Sequence, residues 1–183
     1  MKNLRFLLLP ALVLGLGACG TPDTTGDGND ITFIALQRDF QKYLDWQHFH
    51  LDPNPNAPAQ DPHAIGSREL YLNRKPPSGS TSFPVGTIIV KHSDGNGDPT
   101  QVRTFAMVKR GGDYNQNGAL NWEWFELLQD DTSKAWIISW RGIGPALGGE
   151  YGTTGDTCNT CHMAAKTNDF VQAEPLQLKT LSP

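Results

Sequence analysis

Two cysteines and a histidine within five residues, Cys158-Asn-Thr-Cys161-His162, constrain this chain more than any other feature. In an exported protein each of the three has a chemical job. The thiols add across the two vinyl groups on one edge of a porphyrin, and the imidazole that follows lies beneath the iron as proximal ligand. That reading is covalently bound haem c, with His162 on the iron. Three other readings compete. A structural zinc site needs four ligands, and no second Cys or Cys/His pair stands at ordinary spacing. A thioredoxin-like redox pair wants a βαβ context, which the sequence lacks. A disulfide between Cys158 and Cys161 has no use for His162. The motif is expected on a short helix running to about Lys166.

Export is read from the other end. Lys2 and Arg5 precede an apolar run, Leu7 to Leu16, too short to be read as a membrane span. The run ends in Leu16-Gly17-Ala18-Cys19, small residues before a cysteine. This resembles a bacterial lipobox: residues 1–18 are a signal peptide and Cys19 carries lipid. Ordinary cleavage with Cys19 incidental is the alternative. Several acyl chains, at about 0.8 kcal/mol per buried CH₂, anchor a protein stably. The expected location is the outer side of a bacterial membrane, facing periplasm or exterior. The chain has three cysteines, so lipid and the motif account for every thiol. Residues 19–29 are then lipidated Cys and a polar, turn-rich tether, and residues 30–183 a single domain.

The chain has 183 residues, 38% of them hydrophobic, enough for one domain with a core. Its 19 glycines and 13 prolines favour turns and short strands over a helical bundle. A formal net charge of -4 offers no basic face to a nucleic acid. Asp30 is a plausible helix cap, and Phe33, Leu36, Phe40 and Leu44 follow at steps of three and four. That spacing predicts a helix ending before Pro53, with a Pro-rich loop over 52–62. Strands are predicted at Arg68–Leu72, Gly86–His92, Val102–Lys109, Asn121–Leu128 and Ala135–Trp140, the second and third as an antiparallel hairpin.

The position of the motif near the C-terminus fits neither common class of small cytochrome. Electron carriers of class I have it near the start, with a distal Met well downstream; here the one Met after His162 is Met163, adjoining the ligand. Cytochromes c-prime are helical throughout. SRELYLN (67–73), FPVGTIIVK (83–91), FAMVKRGG (105–112), NWEWFEL (121–127) and CNTCHMAAKTNDFV (158–171) together resemble the cytochrome P-460 and cytochrome c-prime-beta family. The resemblance implies an α+β fold, mainly antiparallel β-sheet flanked by helices, with a C-terminal haem-attachment helix. It also implies a homodimer and a five-coordinate haem with an open distal side. The family's catalytic branch oxidises hydroxylamine and passes electrons to an external acceptor; the other branch binds nitric oxide.

In the catalytic branch a lysine at the end of the Gly-Thr strand bonds to a haem meso carbon, and Lys91 stands there. Read from the residues alone, Lys91 ends an apolar strand on the same face as Ile89, or snorkels from its exposed end. The resemblance puts Arg68 near the haem, where it would stabilise an anion or pair a propionate; a surface arginine is the alternative. A distal carboxylate would take protons from bound substrate as general base. Glu126 is the first candidate, with Glu123 and Glu150 beside it. Phe105, Trp122, Trp124 and Phe125 either line a pocket or form simple core. Asp113 to Gly118 matches the first half of an EF-hand loop, but the twelfth position is Trp124, so the segment is read as a turn. His48, His50, His63 and His92 are candidate sixth ligands that also read as ordinary surface histidines.

Overall fold

The computed structural model describes residues 31–53, 66–144 and 157–181. Its frame is a six-stranded antiparallel sheet in meander order: β1 (Gln47–Leu51), β2 (Arg68–Leu72), β3 (Ile88–Ser93), β4 (Arg103–Lys109), β5 (Trp122–Gln129) and β6 (Trp136–Gly142). Two short helices follow, α1 (Thr157–His162) and α2 (Leu178–Leu181), with 3-10 turns at Met163–Asn168 and Glu174–Leu176. This is an α+β fold with a dominant antiparallel sheet. Among the described residues no helix is long and apolar enough to cross a membrane.

Alternation along the strands sorts side chains onto two faces. Ile88, Val90, Ala106, Val108, Phe125 and Leu127 face one way and pack with Ala35, Phe40 and Tyr43 from the N-terminal segment. We call this the N-face. Leu70, Leu72, Ile89, Met107, Trp122 and Trp124 face the other way and pack with Phe170, Val171, Leu176, Leu178 and Leu181. This is the C-face. Each fully buried aliphatic or aromatic side chain contributes about 1.5–3 kcal/mol, so each terminal segment is held chiefly by apolar burial. A register shift at Glu126/Leu127 lets β6 change faces: Trp140 pairs with Glu126, whereas Ile138 pairs with Leu127.

The five predicted strands form within about two residues of their expected ends, and the β3–β4 hairpin is antiparallel. The helix expected between Asp30 and Pro53 does not form. In its place are an extended run, 3-10 turns at Gln37–Phe40 and Tyr43–Asp45, and strand β1. The helical spacing was misleading because Leu36 and Leu44 are exposed while Ala35 and Tyr43 are fully buried. A chain laid across a sheet buries what the sheet touches, whatever its period. The segment is tied at both ends: Phe33 N–H donates to the Arg110 carbonyl (2.8 Å), and Gln41 bonds both backbone groups of Trp136. Signal peptide, Cys19, tether, His63 and Glu150 lie outside the described residues, as does most of the Pro-rich loop.

Candidate functional site

Helix α1 carries the cysteine motif and lies against the C-face. Asn159, between the cysteines, is 4% exposed and fixes it there. Its Oδ1 accepts from Asn115 Nδ2 (2.7 Å), Ala119 N (3.1 Å) and Trp124 Nε1 (3.1 Å). Its Nδ2 donates to Asn115 Oδ1 (2.9 Å) and the Ile143 carbonyl (3.0 Å). The helix comes so close to the 113–121 turn that a Cβ on Gly118 would meet Asn159 Nδ2 at 2.2 Å. The stretch resembling half an EF-hand is thus the seat of the motif. Asn115 faces Asn159, and Trp124 at the twelfth position bonds the same amide.

His162 sits at the end of α1. Its Nδ1 is 2.6 Å from the Phe170 carbonyl. A carbonyl can only accept, so Nδ1 carries the proton and Nε2 keeps its lone pair for a metal. The ring lies 4.5 Å from that of Trp124, centroid to centroid. Burial pushes the imidazole below its ordinary pKa; the Phe170 carbonyl opposes the fall, and the positive charge of Lys91 adds to it. The last contribution means that Lys91 and His162 share one neighbourhood. Neither Cys158 nor Cys161 is in a disulfide, and Cys161 is exposed. Among the described residues the sheet is an antiparallel meander with no βαβ unit of the kind that holds a thioredoxin-like pair.

Strand register supplies the rest of the site. One row crosses the C-face through the paired positions Phe49, Leu70, Lys91, Phe105, Glu126 and Trp140. Lys91 and Glu126 therefore flank Phe105, and Lys91 Nζ is 5.7 Å from the centroid of its ring. The next row holds Leu51, Arg68, Ser93 and Arg103. Arg68 is half-buried and donates to the Asp52 carbonyl (2.6 Å). Phe49, Leu51 and Trp140 are only partly covered, unlike the sealed centre of the N-face.

Glu123 is placed elsewhere. It lies on the N-face, 2% exposed, against Arg141 (2.8 Å to each carboxylate oxygen) and Arg110 (3.1 Å). Two guanidiniums neutralise it, and it does not reach the Lys91 row, so it is withdrawn as a candidate base. Of the four aromatic candidates, Trp122 and Phe125 are core, while Trp124 touches His162 and Phe105 touches Lys91. His48, His50 and His92 all lie on the N-face side. His48 stacks near Tyr71, His50 pairs with Glu69 and Asp52, and His92 bonds Thr104. None of these three shares a face with His162. Among the described residues no group of three or more His, Cys, Asp or Glu could hold a metal ion between them.

Sequence reading missed Asn159, Arg103 and Trp140, together with the Lys109–Asp169 pair. Only Asn159 carried a signal, since a residue between Cys158 and Cys161 is bound to lie close to both. The residues present fit a haem: a protonated Nδ1 with a free Nε2 opposite, two unbridged thiols on the same helix, and a half-covered aromatic sheet face beside them. No protein-family model matches the chain, and no curated protein matches its sequence.

Proposed function

We propose that the chain is a mono-haem c-type protein, lipid-anchored through Cys19, that oxidises hydroxylamine in the manner of cytochrome P-460. The observation that carries this reading is the row Lys91–Phe105–Glu126 on the C-face, where Trp124 meets His162 and Lys91 lies near enough for its charge to act on that imidazole. An electron carrier needs no lysine and carboxylate beside its iron. Cys158 and Cys161 would hold the group by thioethers, and His162 would ligate iron through Nε2. The bound iron would supply an open coordination position and a one-electron sink for a small nitrogenous substrate.

The protein's own residues do the remaining work. Glu126 accepts protons from substrate nitrogen, and Phe105 and Trp140 keep bulk water from the carboxylate. Lys91 stands where the resembled family cross-links its macrocycle. Arg68 and Arg103, one row away, offer guanidinium groups to propionates or to an anionic product. Electrons leave to an external acceptor at the membrane, and a homodimer is the expected assembly.

The test is the absorption spectrum of the reduced protein matured with c-type machinery. Wild type is expected to show a strongly red-shifted Soret band, and Lys91→Arg an ordinary high-spin c-type band with a matching change in intact mass. Identical spectra and masses would remove the cross-link and move the reading to nitric oxide capture. Protein that stains for no haem would overturn the reading altogether.

A further inference from the structure

The segment after α1 turns sharply at Asp169 and Phe170. Both have left-handed backbones, with φ of 51° and 67°. Two such residues in succession, one of them aromatic, persist only where their surroundings over-determine them. The surroundings here are unusually polar for a core. Asp169 Oδ1 accepts from Lys109 Nζ at 2.6 Å and Oδ2 from Phe83 N at 2.8 Å, and the Asp169 carbonyl accepts from Trp122 Nε1 at 2.8 Å. Both charged side chains are buried, 7% and 8% exposed. Replacing an ion pair of this kind by apolar residues is commonly neutral or stabilising, so stability alone does not explain it. What it holds is the next residue, whose carbonyl is the acceptor for His162 Nδ1.

We propose that Lys109 and Asp169 are positioning residues for His162: they clamp the Asp169–Phe170 turn so that the Phe170 carbonyl meets the imidazole N–H. An imidazole held to a strong acceptor is the better donor at its other nitrogen, and second-shell partners of this kind tune a metal. This rests on the haem reading above and adds a control over the proximal ligand that lies sixty residues apart in sequence. The lysine ends β4 on the C-face, so the clamp joins the sheet directly to the ligand-bearing segment.

The experiment measures reduction potential and the iron–histidine stretching band in haem-loaded full-length protein. Asp169→Asn keeps the acceptor for Phe83 N and removes the charge. Its potential is expected to rise and its stretching band to move to lower frequency, with haem content unchanged. Lys109→Arg retains the cation and is expected to stay near wild type in both. Should Asp169→Asn accumulate poorly, the double variant Lys109→Met with Asp169→Asn removes both charges together and carries the same expectation. Unchanged potential and band in loaded Asp169→Asn would overturn the clamp and leave the haem reading standing. A wild type that takes up no haem overturns the haem reading instead. The clamp is then read from exchange of the His162 Nδ1 proton by NMR, expected to quicken about tenfold or more in Asp169→Asn and to be unchanged if the clamp is absent.

Discussion

The two faces of the sheet solve the same problem differently. Each must cover apolar strand residues, and each contains charge. On the N-face the charge is cancelled where it stands: Glu123 is held by Arg110 and Arg141, and Arg141 also donates to the Ala35 carbonyl (2.8 Å) of the covering segment. On the C-face the Lys109–Asp169 pair is cancelled in the same way, but Lys91 and Glu126 stand across Phe105 in a row that is only partly covered. Glu123 and Glu126 are three residues apart on one strand, and alternation alone sends them to opposite faces. The first is buried between two arginines, and the second is half-buried beside Phe105.

The largest expected effect breaks the N-face. Glu123→Ala leaves two guanidiniums against a core, and should cost about 3 kcal/mol by chemical denaturation. That is the lower end for breaking a buried pair, because both arginines keep some contact with water. Glu126→Gln on the C-face should cost under about 1 kcal/mol, while hydroxylamine turnover falls about 10²-fold or more. Equal stability losses in the two variants would erase the distinction between the faces.

A smaller effect tests how the motif is seated. Asn159→Ala strands the Trp124 indole N–H and the Ala119 amide, both buried, and should cost about 2 kcal/mol. Haem attachment should fall with it, since α1 loses its link to the 113–121 turn. Full attachment with stability unchanged would mean that α1 is held by its apolar contacts alone.

These contrasts also mark what the sequence made legible. The Cys158–His162 cluster stood out because its three groups fall within five residues, and the strands because Ile88–Val90, Arg103–Lys109 and Trp122–Leu127 alternate between two buried faces. Residues 31–51 could not be read that way. β1 is an edge strand with His48 and His50 exposed, so only Phe49 and Leu51 carry its pattern, and the segment before it takes its burial from the sheet it crosses. The choice between Glu123 and Glu126 needed the register of β5 with β4. Lys109 and Asp169 needed the fold itself, since nothing local joins an apolar strand end to a turn sixty residues on.

The smallest expected effect is a pH dependence on the N-face. His92 is part-buried there, with Nδ1 2.9 Å from Thr104 Oγ1 and its ring against Trp136. Burial pulls its pKa below the ordinary 6.5, against weaker upward pulls from Asp94 and Glu69. Above about pH 6.5 it is neutral in folded and unfolded chain alike, and contributes nothing. As pH falls through that value the unfolded chain takes up a proton that the folded one resists, so stability declines until the lower folded pKa is reached. His50 has the opposite sign: its bond to Glu69 raises its pKa, so its contribution is present at low pH and lost as pH rises. The two are separated by comparing wild type with His92→Gln in denaturant titrations between about pH 5 and 8. The difference between the curves should grow as pH falls, with His92→Gln the less acid-sensitive. Parallel curves would mean that the N-face admits an unpaired charge, and the pairing of Glu123 with two arginines would then need a reason other than the closure of that face.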